Sequence, residues 1–140
     1  MNIMKIAFKI FLLLTLIIFF SCEDQGLFVK CPDCTVDEPV RTDLEFKLDF
    51  SYGGIFINIY EGNLDDSILI FSERIFDPPF NYNVSVNKKY TATATYYTRN
   101  NEYIAVDSAT PRVKYDKAKC DNPCYFVYDK VLDLRLKYTK

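Results

Sequence analysis

The sequence feature that most constrains the fold of this chain is a two-residue alternation of apolar and polar side chains. The segment TDLEFKLDF, residues 42–50, places charged residues between its apolar ones, which are Leu44, Phe46, Leu48 and Phe50. Successive side chains of a β-strand point to opposite faces of a sheet. The alternation therefore predicts a strand with one buried and one solvated face, and no part of the sequence shows a convincing helical period.

Short segments rich in Gly, Asn, Asp and Pro separate further runs of this kind. Asn and Asp favour turns, and the prolines of DPPF cannot donate a ladder hydrogen bond. Between these segments we predict strands at 55–62, 67–75, 82–86, 90–98, 102–108, 111–115, 125–130 and 131–138. Short strands at this spacing predict an all-β fold, a single antiparallel β-sandwich of seven to eight strands over residues 42–140.

The composition excludes several classes of function. The chain has no histidine, which is the commonest general base and the commonest metal ligand. It also lacks a Gly-x-Ser-x-Gly motif and a phosphate-binding glycine loop, and its carboxylate pairs, such as Asp65 with Asp66, give no sign of a shared cleft. A net charge of −2 without a basic stripe does not suit nucleic acid. We therefore expect a protein that is not an enzyme and binds no nucleic acid.

The first 21 residues have the layout of a secretory signal peptide. Lys5 and Lys9 come first, an apolar run over 10–20 follows, and Ser21 is a small residue at its end. A run of eleven residues is too short for a membrane-spanning helix, which needs about 20 apolar residues. We expect residues 1–21 to be removed and exclude them from the domain.

The segment FFSC, residues 19–22, resembles the lipobox of bacterial lipoproteins, although Phe19 stands where that family usually has Leu. The resemblance implies cleavage before Cys22, acylation of that cysteine and contact with membrane lipid at the outer membrane or cell surface. Glu23 and Asp24 are similar to the surface-export signal of some outer-membrane lipoproteins. Removing two lysines with the signal peptide would change the net charge from −2 to −4. Residues 22–41 would then be the acylated N-terminus and a short tether.

Four further cysteines form two short pairs, CPDC at 31–34 and CDNPC at 120–124. An even number of cysteines in an exported chain predicts disulfides, and Cys31, Cys34, Cys120 and Cys124 allow three pairings. Two short pairs far apart also resemble zinc-ribbon knuckles, so a zinc site of four thiolates is the alternative, and free or redox-active thiols are a third. We expect no other cofactor.

The stretch VSVNKKYTATATY, residues 84–96, resembles the approach to strand F of immunoglobulin-like and fibronectin type III domains. The resemblance implies that Tyr90 is a corner tyrosine whose hydroxyl bonds back to upstream backbone. A transthyretin-like sandwich is the alternative fold.

Aromatic side chains are the main candidates for binding. FDPPFNY places Phe76 and Phe80 around two prolines in a predicted loop, and Tyr97 follows Tyr96, so the two must point to opposite faces of their strand. Tyrosine offers rigid contact area at low entropic cost. The alternative is that most of these rings fill the core.

Two further motifs carry possible ligands or acceptors. EGNLDDS, residues 61–67, has several oxygen ligands but not the spacing of an EF-hand, so turn formation is favoured over calcium binding. The triplets DSI and DSA resemble a bacterial O-glycosylation motif, with Ser67 and Ser108 as acceptors near predicted turns.

Together these features predict a lipid-anchored envelope or surface protein. We expect a non-enzymatic binding or structural module whose partner is another envelope or extracellular protein. The alternative is a β-sandwich module that binds calcium, zinc or a glycan.

Overall fold

A computed structural model describes residues 31–66, 68–117 and 120–137 of the chain. Within these residues the structure is an all-β sandwich, as predicted. It has nine strands, one at each predicted segment, although seven to eight were predicted for the sandwich: β1 (Arg41–Lys47), β2 (Ile55–Glu61), β3 (Ile68–Ile75), β4 (Phe80–Ser85), β5 (Tyr90–Tyr97), β6 (Glu102–Ala109), β7 (Arg112–Asp116), β8 (Cys124–Tyr128) and β9 (Val131–Asp133). The predicted signal peptide, Cys22 and Ser67 lie outside the described residues.

The strands form two packed sheets and a separate hairpin. One sheet has four antiparallel strands in the order β3-β2-β5-β6, and the other has three in the order β4-β1-β9. β7 and β8 pair only with each other among the named strands. One strand pair departs from the antiparallel arrangement, because β9 pairs with β1 in parallel. This parallel strand is the short ninth strand.

The core lies between the two sheets and is made of the residues that the alternation places on their inner faces. Its fully buried members include Leu44, Ile57, Ala94 and Leu132. Tyr96 joins the two sheets, since its hydroxyl donates to the carbonyl of Leu134 at 2.7 Å and accepts from the amide of Asp49 at 3.3 Å. Its buried phenol is thus fully hydrogen-bonded.

Tyr90 makes the backward hydrogen bond predicted for it. The hydroxyl of this buried side chain donates to the carbonyl of Ser85 at 3.1 Å, across the turn that precedes β5. Asn87 at the tip of that turn has a φ of 62°, in the left-handed region that asparagine tolerates well. The bond fixes the entry of the chain into the central strand of the larger sheet.

Two predicted strands are shorter than their alternation suggests. β1 ends at Lys47, because Asp49 accepts a hydrogen bond from the Ser51 amide and starts a 3₁₀ turn over Phe50–Tyr52. β9 ends at Asp133, although Leu134 is still fully buried beyond it. In both places the alternation correctly predicted which side chains are buried, but the backbone pairing between strands ends earlier than predicted.

Residues 31–41, predicted to be the end of a tether, are joined to the hairpin. Thr35 and Tyr125 exchange two backbone hydrogen bonds of 2.9 and 2.8 Å. Two disulfides, Cys31–Cys120 and Cys34–Cys124, link the same two segments. No helix of the described residues has the length and hydropathy needed to cross a membrane.

Candidate functional site

The most extensive candidate binding surface is the side of the four-stranded sheet that faces away from the core. We call it the outer face. Cross-strand pairing places its side chains in rows, which are Arg74–Phe56–Thr95–Ile104, Ser72–Asn58–Thr93–Val106 and Leu69–Tyr60–Thr91–Ser108. A fourth row at one end holds Phe76, Gly54, Tyr97 and Glu102.

The middle of the outer face keeps its polar groups occupied within the sheet. The Ser72 hydroxyl donates to the Asn58 side-chain carbonyl at 2.7 Å, and the Asn58 amide nitrogen lies 3.5 Å from the Thr93 hydroxyl. The Thr91 hydroxyl donates to the backbone carbonyl of Gly62 at 2.7 Å. Thr91, Thr93 and Thr95 are also 6–9% exposed, because longer side chains flank them. The polar side chains at the centre are therefore largely hydrogen-bonded within the sheet.

The two edges of the outer face carry apolar side chains that stand in solvent. Ile104 and Val106 on β6 are 59% and 52% exposed, and Leu69 on β3 is 50% exposed. A single exposed aliphatic residue is common on soluble proteins, but a contiguous apolar patch usually marks an interaction surface. Ile104 and Val106 lie in neighbouring rows on β6 and form a small patch of this kind, whereas Leu69 lies on the opposite edge of the sheet, across β2 and β5.

An aromatic cluster closes one end of the outer face. Phe76 is 64% exposed and Tyr97 is 46% exposed, and the guanidinium of Arg74 lies 5.3 Å from the centre of the Tyr97 ring. This geometry is typical of a cation–π interaction. A Cβ atom on Gly54 would lie 2.6 Å from the Phe76 ring, so the ring occupies the space that a larger residue at position 54 would need.

The structure thus brings together two of the three aromatic residues that the sequence singled out. Phe76 and Tyr97 share the aromatic end of the outer face. Phe80 lies elsewhere: it is half-buried on β4, and its ring centre is 5.0 Å from that of Phe46 and 5.4 Å from that of Phe71. Phe80 therefore packs against the core.

Ile104 and Val106 were missed by the sequence analysis, although a signal for them exists. In EYIAVDS they alternate with Tyr103 and Ala105, so both faces of the predicted strand are apolar. A strand with a solvated face normally has polar residues there. Apolar residues on both faces of a sheet-edge strand could have indicated a second, partner-covered face.

A shallow cleft of about 320 Å³ continues the outer face around the unpaired edge of β6. Ile104 and Val106 line one wall, and Asp133, Arg135, Leu136 and Lys137 line the other. There Arg135 forms a bidentate ion pair with Asp133 through two contacts of 2.7 Å. The hydrogen bonds from Arg135 hold the pKa of the Asp133 carboxyl well below its usual range. This wall of the cleft is charged, whereas the other wall is aliphatic.

The four paired cysteines form the second notable cluster. Of the three possible pairings the structure has Cys31–Cys120 and Cys34–Cys124, with Cα–Cα distances of 5.7 and 5.4 Å. The prediction of disulfides is confirmed. The two bridges lie side by side, since the sulfur of Cys34 is 3.7 Å from that of Cys120.

The oxygen-rich loop at residues 61–66 is occupied by turn and lysine contacts. The Asp66 carboxylate accepts from the amide of Asn63 at 2.7 Å, as expected for a turn. Lys88 contacts the Glu61 carboxylate at 2.8 Å, and Lys89 donates to the Asn63 side chain at 2.6 Å. A cation in this loop would have to displace two ammonium groups.

The glycosylation candidate Ser108 is exposed, one residue before the end of β6. It lies in the outermost row of the outer face, opposite Thr91, and not in a turn. Its hydroxyl can be reached from solvent at the sheet edge.

Comparisons with protein-family models, with curated proteins and with solved structures find no match to this chain. The class that the structure defines is therefore a structural one: an all-β sandwich whose N-terminal segment is linked to a C-terminal hairpin by two disulfides.

Proposed function

We propose that this chain is an exported, lipid-anchored β-sandwich protein that binds another protein of the cell envelope through its outer face. The observation that carries the binding proposal is the exposed pair Ile104 and Val106 on β6, on the same face as the exposed Phe76–Tyr97 cluster. Such a surface is costly to leave in water and suits a protein partner with a complementary apolar patch.

The disulfides support the export part of the proposal. Disulfides persist in extracellular and periplasmic proteins and are rare in a reducing cytosol. The signal-peptide layout of residues 1–21 and the lipobox-like FFSC segment point to the same compartment. Two or more acyl chains at Cys22 would hold the domain durably at a membrane. The outer membrane or the cell surface is the location we propose.

A binding role without catalysis agrees with the side chains available. The chain has no histidine. Among the described residues, the outer face carries hydroxyl and amide groups that are bonded within the sheet. Aromatic residues and an arginine at one end are typical of the residues that dominate protein–protein binding energy. We therefore place the strongest contacts at Arg74, Phe76 and Tyr97.

Metabolic labelling with a palmitate analogue tests the anchor. The wild-type chain should incorporate label and remain with membranes, and the Cys22→Ser variant should lose both properties. An unlabelled wild-type chain in the soluble fraction would contradict the proposed anchor, whatever the outer face binds.

A photo-crosslinking amino acid at position 104 tests the binding surface in intact cells. It should give a discrete crosslinked product, which Arg74→Glu or Val106→Asp should reduce. The same amino acid at position 36 is the matched control, because Val36 is 87% exposed and belongs to none of the rows of the outer face. Equal products from both positions would contradict a specific surface. A product containing two copies of this chain would replace the foreign partner with self-association.

A further inference from the structure

The two disulfides bring all the cysteines of CPDC and CDNPC into one cluster of sulfur atoms. Residues Cys31–Asp33 form a 3₁₀ turn, in which the Cys34 amide donates to the Cys31 carbonyl at 3.3 Å. This turn places both cysteines of CPDC next to the hairpin. Cys124 is the first residue of β8, and Cys120 lies in the loop before it. The backbone pairing of Thr35 with Tyr125 holds these segments together in addition to the bridges.

One sulfur–sulfur distance between the two bridges matches the spacing in a tetrahedral thiolate site. With zinc–sulfur bonds of about 2.3 Å, two sulfurs of a tetrahedral site lie roughly 3.8 Å apart. Cys34 and Cys120, which belong to different bridges, have their sulfurs 3.7 Å apart. The sulfurs of Cys34, Cys120 and Cys124 all lie within 4.8 Å of one another. Rotation about χ1 could separate the bonded pairs to the same spacing once the bridges are opened.

We propose that the reduced chain binds one zinc ion through Cys31, Cys34, Cys120 and Cys124. Each disulfide takes up two electrons and two protons and becomes two thiols. With a phosphine as reductant, the phosphine supplies the electrons and leaves as its oxide, whose oxygen comes from water. Zinc then replaces the four thiol protons, which are released to solvent.

The ion would do in the reduced chain what the bridges do in the oxidised one. Either arrangement joins residues 31–34 to the segment 120–124 and so fixes the N-terminal segment on the β7–β8 hairpin. Cys124 is 6% exposed, and Cys34 and Cys120 are half-buried, so three of the four ligands are partly shielded from competing water. Zinc would thus preserve the native pairing of these segments before oxidation.

Zinc titration of the full chain in detergent tests the proposal. Cys22→Ser serves as the background, so that a fifth thiol does not contribute. The phosphine-reduced chain should take up one zinc ion per molecule in competition with a chromophoric chelator, and the oxidised chain should take up none. Cobalt(II) in place of zinc should give the absorption bands of a tetrahedral thiolate site.

The double variant Cys120→Ser/Cys124→Ser, which keeps CPDC intact, is the decisive comparison. It should lose stoichiometric binding and the tetrahedral cobalt spectrum. Binding that survives in this variant would overturn the four-cysteine site, as would a reduced chain that takes up no zinc.

If reduction unfolds the chain, near-ultraviolet circular dichroism measures whether zinc refolds it. Zinc should then restore the tyrosine signal of the oxidised protein. Zinc uptake without that recovery would also overturn the proposal. None of these results bears on acylation of Cys22 or on crosslinking from position 104.

Discussion

The sandwich and the β7–β8 hairpin achieve stability by different means. The sandwich has a continuous core to which both sheets contribute, with Ile57, Ala94 and Leu132 fully buried. The hairpin contributes none of the buried residues of that core, and its own buried side chains are Cys124 and Phe126. It is held by two disulfides and by the backbone pairing of residue 35 with residue 125.

The difference shows what a short hairpin outside a core requires. A two-stranded hairpin alone is at best marginally stable in water. Here Tyr115 and Tyr125 face each other with ring centres 4.8 Å apart, a modest contact. The covalent links supply what burial does not, because each closes a loop of about 90 residues and so restricts the unfolded chain.

Removal of both disulfides should have the largest effect on stability. By loop-closure entropy the first bridge contributes roughly 5 kcal/mol, and the second, which then closes only about 7 residues, contributes roughly 2 kcal/mol. Cys34→Ala/Cys124→Ala should therefore cost about 2 kcal/mol, and replacement of all four cysteines by alanine about 7 kcal/mol. Urea unfolding followed by tyrosine fluorescence measures both values. Equal costs for the two variants would show that the bridges do not close one shared loop.

Ile57→Ala in the core should be the most damaging single substitution in the sandwich. Ile57 is fully buried, so the change removes apolar contacts and leaves a cavity, at a cost of about 2–5 kcal/mol. Ile104→Ala is the matched control on the outer face and should stay within about 0.5 kcal/mol. Thermal unfolding of both variants measures the contrast. A similar loss for Ile104→Ala would mean that the outer face is part of the fold's own core.

Tyr96→Phe should weaken the connection between the sheets by about 2 kcal/mol, because the buried carbonyl of Leu134 loses its donor. Tyr97→Phe, at an exposed neighbouring position, should change stability little. Urea unfolding at neutral pH compares the two. A larger loss for Tyr97→Phe would reverse our assignment of the inner and outer faces of β5.

The same substitution should change how stability depends on alkaline pH. Burial raises the pKa of the Tyr96 phenol above its ordinary value, and burial does the same for Tyr90. Below the unfolded-state pKa of about 10 both states are protonated, so this contribution is fully present. As the pH rises beyond that value, the unfolded chain loses its proton first and stability falls. Tyr96→Phe should make this fall shallower, and an unchanged slope would contradict it.

Tyr90→Phe should have the smallest effect, about 1 kcal/mol, since it removes one hydrogen bond to the Ser85 carbonyl and keeps the ring in place. Thermal unfolding, with Tyr115→Phe on the hairpin as the control, measures it. No loss at Tyr90 would indicate that the bond contributes nothing net and that its ring alone fixes the corner.

Much of the sandwich was predictable from local patterns, because the alternation of residues 42–50 and 55–62 reports which side of each strand is buried. The parallel pairing of β9 with β1 was not, since strand order depends on contacts far apart in sequence. The same holds for the outer face. Phe76 and Tyr97 were each predicted as binding candidates, but only the folded sheet places them beside Gly54 and Arg74.

The pairing of the cysteines could not be predicted from the sequence either. The even number of cysteines and the predicted export of the chain indicated disulfides. The sequence did not decide among the three possible pairings of Cys31, Cys34, Cys120 and Cys124. In the folded chain the Thr35–Tyr125 pairing sets the register of the N-terminal segment against β8, beside both bridges. That register depends on the folded hairpin and has no signature in the spacing of the cysteines.

Disulfide mapping of protein extracted from cell envelopes tests the central claim most directly. Trypsin leaves both cysteines of each pair in one peptide, whereas cleavage before aspartate separates them at Asp33 and Asp121. We expect peptide 24–32 linked to 116–120 and peptide 33–36 linked to 121–128. A link between 24–32 and 33–36, or recovery of all four peptides as free thiols, would contradict a sandwich closed covalently onto its hairpin.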